Sequence, residues 1–166
     1  MQKYDYMIAD TSYLVHLDRK YKENLKSKLK KILKLNVKYR KVIISPVVKF
    51  ELIDQPLRQN IYFDSVERFQ KLLNEKLIEV REVDYNNPRI SKISDEAKRY
   101  LAKKSGKYEH LVERADVETI TLTFSFLLEG TSVLVAVKDK ALKEVLKNLL
   151  KQHKLTAEAK IIEQNI

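Results

Sequence analysis

Two hydrophobic patterns alternate along the chain. Short apolar runs bounded by turn or capping residues read as buried strands. Longer stretches whose apolar residues recur every three or four positions read as helices. Tyr6 to Ala9 is the first run, and it stops at Asp10-Thr11-Ser12, an N-cap signal leading into a helix over Tyr13 to Asp18. A second helix is expected over Lys20 to Leu35, with its apolar stripe at Leu25, Leu29, Ile32 and Leu33. Val42 to Ser45 reads as a strand, and Pro46 suits the first turn of the helix VVKFELI, which Gln55-Pro56 is expected to end.

Ile61 to Lys76 has helical spacing at Phe63, Val66, Phe69, Leu72 and Leu73. Ile78 to Val83 is the third predicted strand, closed by Tyr85-Asn86-Asn87-Pro88. A helix over Ser94 to Lys103 is broken by Lys104-Ser105-Gly106-Lys107. Ala115 to Leu128 is a longer, more apolar helix, and Val133 to Val137 is a fully buried strand. An amphipathic helix over Lys140 to Lys151 and a short strand over Ala159 to Glu163 complete the set. Strands alternating with helices predict an α/β fold, a parallel sheet of about five short strands covered on both faces. With 166 residues, no repeat and no linker, the chain reads as a single domain over 1–166.

Composition removes several chemistries. There is no cysteine, so thiolate zinc sites and thiol nucleophiles are out. Gly106 and Gly130 are the only glycines, so neither GxGxxG nor GxxxxGK[ST] can be written. His16, His110 and His153 show no paired-ligand spacing. No apolar run approaches the ~18 residues of a membrane span, and the first residues lack the apolar core of a signal peptide. A cytoplasmic location without membrane attachment is the expectation.

The net charge of +10 is unevenly placed. Arg19 to Lys41 (RKYKENLKSKLKKILKLNVKYRK) holds 11 basic residues and one acid, Glu23, while the remainder balances. A basic helical segment at 19–41 is the electrostatic footprint of a polyphosphate partner, and Lys22, Lys26, Lys30 and Lys34 are its candidate RNA-binding residues. A solvated lysine-rich face and a membrane-surface helix are the alternatives; the apolar stripe is no wider than docking on the body requires. The segment is expected to begin beside Asp10.

In open parallel sheets, function collects beyond the C-terminal ends of the strands. Asp10 follows the first strand directly, and Asp139 follows VLVAV after Lys138. Glu51 falls on the apolar stripe of VVKFELI, and Asp116 shares a face with Ile120, Thr123, Phe124 and Leu127. A carboxylate on a core-facing stripe is costly unless paired, hydrogen-bonded or bound to a metal. Each acid also has a plainer reading: Asp10 and Asp139 as helix caps, Asp116 as a first-turn charge, Glu51 as a misphased surface residue. Converging oxygen ligands without His or Cys suit Mg²⁺ or Mn²⁺. Such ions activate water and stabilise the leaving oxygen in phosphodiester hydrolysis.

The order YMIADTSYLVHL, IISPVVKFEL, ERADVETITLTFSF, VLVAVKDKAL resembles the PIN-domain nucleases over Tyr6 to about Leu146. The resemblance implies a Rossmann-like PIN fold and Mg²⁺- or Mn²⁺-dependent cleavage of RNA. The family's strand-Asp-[Thr/Ser]-[Ser/Asn] opening falls on Asp10, Thr11 and Ser12. Its glutamate after the second strand falls on Glu51, the aspartate opening its long helix on Asp116, and the aspartate closing its fourth strand on Asp139. These four acids are thereby the expected catalytic and metal-holding residues. Thr11 and Ser12 would orient Asp10 or a ligand water. The VapC toxins are the nearest branch in kind, implying an antitoxin protein and a homodimer as partners. Exposed Tyr or Phe on the helices around Phe63 and Phe69 could serve the dimer, although their helical spacing favours core packing.

This chain departs from the family pattern at the fourth strand, where Thr-x-Asp becomes Val137-Lys138-Asp139. Lys138 either helps to hold a substrate phosphate or is a surface lysine. A haloacid-dehalogenase phosphatase would need Asp-x-Asp where Asp10-Thr11-Ser12 stands, and the acidic pair of a response-regulator receiver is absent. The remaining alternative is a PIN fold that binds RNA or protein without cutting, or that processes RNA without being a toxin.

Overall fold

A computed structural model describes residues 3–162. Five parallel strands form one sheet in the order β3-β2-β1-β4-β5: β1 Tyr6–Ala9, β2 Val42–Ile44, β3 Ile78–Val80, β4 Val133–Ala136 and β5 Ala159–Ile162. Glu163, the expected end of the last strand, lies outside the described residues. Because side chains alternate across a strand, the sheet feeds two cores. Met7, Ala9, Val42, Ile44, Leu134 and Ala136 face one of them, which is covered by α1 (Thr11–Tyr21), α2 (Leu25–Asn36), α3 (Pro46–Lys49) and α5 (Phe63–Asn74). Ile8, Ile43, Val133, Val135 and Val137 face the other, under α6 (Pro88–Ser105), α7 (Arg114–Leu128) and α8 (Lys140–Gln152). The α/β class and the sheet covered on both faces are as the alternation predicts.

The strand order reverses between β1 and β4, which pair in register from Tyr6 with Val133 to Ala9 with Ala136. That reversal opens a crevice beyond their C-terminal ends, where the chain must leave in opposite directions.

Several boundaries differ from expectation for local reasons. The basic stretch is not one helix. Lys22 takes φ 47°, a 3₁₀ turn occupies Lys22–Asn24, and α2 begins at Leu25. Its Leu25, Leu29, Ile32 and Leu33 are buried, as the stripe predicts. The helix over Ser94 to Lys103 is longer, because Asn87 caps it through Arg89 N–H and Pro88 occupies its first turn. Gln55-Pro56 does not end the helix that starts at Pro46. A π-helical segment, Phe50–Asp54, is followed by α4, Gln55–Arg58. Phe69 belongs to the core and is closed to a partner, whereas Phe63 is exposed. No helix of the described residues is long and apolar enough to cross a membrane.

Candidate active site

Asp10 and Asp139 stand where β1 and β4 hand over to helices, one on each side of the crevice. Both are indeed caps. Asp10 Oδ1 accepts from Tyr13 N–H at 2.9 Å, and Asp139 Oδ1 from Leu142 N–H at 2.9 Å. Capping does not exhaust Asp10, which is only 2% exposed. Burial pushes its carboxyl up to about 6; the Tyr13 N–H pulls it down, and repulsion from Asp139 and Glu51 pushes it further up.

Asp116 lies half-buried in the first turn of α7. Burial is the main cause that lifts its carboxyl to about 7, with Glu113, Asp139, Asp10 and Glu51 adding to it in that order. The four acids expected from the sequence therefore sit in one another's electric field. Glu113 is a fifth member that the strand-end reasoning missed. Its signal was a carboxylate three residues before Asp116 in VERAD, at the N-cap position of α7.

Glu51 reaches the site from a helix with altered winding. Proline in an ordinary α-turn clashes with the carbonyl four residues back. Here the turn before Pro56 is widened, and Gln55 N–H bonds to Phe50 O, five residues back. Glu51 lies in this π segment, half-buried, and its Oε1 accepts from Thr11 Oγ1 at 2.6 Å. Thr11 thus orients Glu51, not Asp10.

A cleft of about 170 Å³ is lined by Ser12, Lys107, Glu113, Asp116 and Asp139, among others. Ser12 is consequently near the acids, and Lys107 brings a positive charge that no motif had marked. Lys138 does not line this cleft: it is exposed, and its Nζ lies 3.1 Å from His16 Nδ1 on α1.

The lysines of the basic segment are not beside the acids. Lys26 Nζ pairs with Glu75 Oε2 at 2.6 Å, just past the end of α5 and before β3 starts. At its other end α2 finishes where Tyr4 N–H bonds to Asn36 O at 3.0 Å, ahead of β1. Both contacts lie toward the N-terminal edge of the sheet, opposite Asp10. The segment's first residues, Arg19 to Tyr21, are the last turn of α1, which carries them away from Asp10, although Arg19 lines a cavity with Glu51. Lys22, Lys30 and Lys34 remain exposed.

The donors at the crevice are all oxygen, and their mutual repulsion is what a hard cation would relieve, so their chemistry fits Mg²⁺ or Mn²⁺. Among the described residues no three potential ligands stand close enough to hold one ion together. Such an ion would take few side chains directly and keep water in its shell, as Mg²⁺ commonly does.

A family model described as Halobacterial PIN domain matches residues 3–165. No curated protein and no solved structure gives a match.

Proposed function

The chain belongs to the PIN-domain family, and from that membership we propose that it is a divalent-metal-dependent endoribonuclease, the toxin of a VapBC-type pair. The observation that supports the activity is the gathering of acids at the switch crevice: Asp10 and Asp139 cap the helices that leave β1 and β4, Asp139 shares a cleft with Asp116, and Thr11, next to Asp10, holds Glu51. Asp116 and Asp139 face the cleft and would hold the ion first, with Asp10 and Glu51 acting on it directly or through water. When bound, Mg²⁺ or Mn²⁺ supplies activation of water and stabilisation of the leaving oxygen.

The protein groups divide the remaining work. Thr11 holds Glu51 in place. The Ser12 hydroxyl and the Lys107 ammonium offer donors to a phosphate entering the cleft. Asp116, poised near neutrality, can take up a proton while no cation faces it. Cleavage of single-stranded RNA with and without Mg²⁺ or Mn²⁺ tests the reading. Wild type should cut only with metal, and Asp116→Asn should lose most of the activity. Equal cutting by that variant would refute the site.

The toxin role, the antitoxin and the homodimer rest on the family resemblance; a cytoplasmic location is proposed with them. A small open reading frame beside the gene, whose product binds and silences the protein, is the test of that role. Val137 in place of the usual threonine, with no group of three potential ligands set to hold one ion among the described residues, favours one second reading: a PIN fold that binds RNA or protein without cutting it.

A further inference from the structure

A second cleft, about 780 Å³, lies apart from the acidic one. It lies between α6 and the start of α7, and Lys98, Arg99 and Arg114 line it together with the acids Asp95 and Glu109. Val112 lines both this cleft and the acidic one, so the two are neighbours on the surface. The stretch that carries α6 is more basic than the lining alone, although Lys104 pairs with Glu144 Oε2 at 2.6 Å and Lys107 lines the acidic cleft. From Arg89 to Lys107 there are seven basic residues against two acids, Asp95 and Glu96. Glu96 lies 3.3 Å from His153 on the far side and is almost fully buried.

At the rim stands an aromatic pair. Tyr108 is 75% exposed, and its ring stacks on His110 with centroids 5.8 Å apart and planes 12° from parallel. A third ring, Tyr85, lines the cleft itself and is fixed by its hydroxyl, which donates to the buried Glu118 Oε2 at 2.9 Å. A large aromatic left open to water beside cationic groups suits a ligand with both flat faces and negative charge.

Resting on the ribonuclease reading above, we infer that this cleft seats the single-stranded part of the substrate, with bases stacked on Tyr108 and His110 and phosphates met by Lys98, Arg99 and Arg114. The strand then passes Val112 and Lys107 to reach the acids. Bases in a duplex have their faces already stacked and cannot use such a platform, so the site selects unpaired RNA. Its volume is of the order that binding clefts use for one small ligand, ~300–1,000 Å³, which limits the seat to a short segment.

The test is binding, measured by fluorescence anisotropy on a short labelled RNA in EDTA, so that nothing is cut. Wild type should bind the single strand better than the same RNA as a duplex. Tyr108→Ala with His110→Ala should weaken single-strand binding about tenfold and leave duplex binding unchanged. Tyr108→Phe should bind as wild type, since the ring is kept. Arg99→Glu should make the salt dependence shallower, by roughly 0.7 in slope per lost phosphate contact. All these side chains are exposed, and unchanged melting temperatures confirm intact folding. Wild-type affinity in the double alanine variant overturns the proposal and leaves the aromatic pair to a protein partner. So does a wild type that prefers duplex or binds no RNA. Binding that follows the expected pattern in a protein that never cuts RNA upholds the cleft and refutes the nuclease reading, so the two fail separately.

Discussion

Thr11 gives its hydroxyl hydrogen to Glu51 across 40 positions of sequence, at 2.6 Å. Thr11, two residues past the end of β1, thereby fixes the carboxylate that comes from a different helix. A hydrogen bond to a charged group contributes roughly 1.5–3 kcal/mol, so its loss should be visible in activity as well as in stability. Thr11→Val should lower cleavage by about tenfold or more, whereas Thr11→Ser should retain most of it. Equal rates for the two variants would show that Glu51 is held by other means.

Asp10 and Asp116 make the stability of the metal-free protein depend on pH in an unusual direction. Their folded values, about 6 and about 7, lie above the ordinary 3.8. Each contribution is therefore complete below about pH 4 and is lost as pH rises through the folded value. For Asp10, 2% exposed, the loss is on the order of 3 kcal/mol at 1.36 kcal/mol per unit. Asp10→Asn keeps the cap, since asparagine serves as well there, but removes the charge. Its melting temperature should match wild type near pH 4 and exceed it above pH 7. A difference that does not change with pH would refute the buried-charge account.

Metal should reverse that penalty. A cation binds the ionised carboxylates, so it competes with their protons. Millimolar Mg²⁺ or Mn²⁺ should raise the melting temperature, with about 2.7 kcal/mol gained at a hundredfold excess over Kd. The shift should be larger at about pH 8 than at about pH 5. It should shrink in Asp116→Asn. No shift at either pH would favour the non-cutting reading.

The lysines of α2 make a different prediction from those of the large cleft. Lys30 and Lys34 are exposed on a helix whose ends lie toward the opposite edge from the acids. Changing them to Glu should weaken binding of long RNA, with a slope change of roughly 0.7 per contact, and leave short oligonucleotides untouched. A drop in cleavage of short substrates would place α2 in the active surface after all.

What the sequence made legible follows from how each feature is encoded. A parallel sheet puts strand ends together, so Asp10 and Asp139 could be placed from two apolar runs and the residues after them. Glu51 was found through a 3.6-residue stripe, although the winding around it is wider. The signal for that, Pro56, reads locally as a stop. Asn87-Pro88 carries the same ambiguity: it closes a strand equally well as it opens α6. Charge on Arg19 to Lys41 was plain, but which end of the sheet α2 faces depends on packing against α5. Lys107 and Tyr108 sit in an irregular stretch with no periodicity, so only the folded clefts give them a place.

The wide turn that carries Glu51 has an implication for how this active site can be lost. A π segment holds one residue more than the same rise of α-helix would use, so it is a place where the chain can shed a residue without shortening the helix. Deleting a single position between Phe50 and Asp54 would let the winding relax and turn the neighbouring side chains about the axis, with the strands on either side left alone. Glu51 would then lose its alignment with Thr11. Descendants of this chain could in that way lose the Glu51 carboxylate from the acidic site in one step while still folding, and be kept for whatever their surfaces hold.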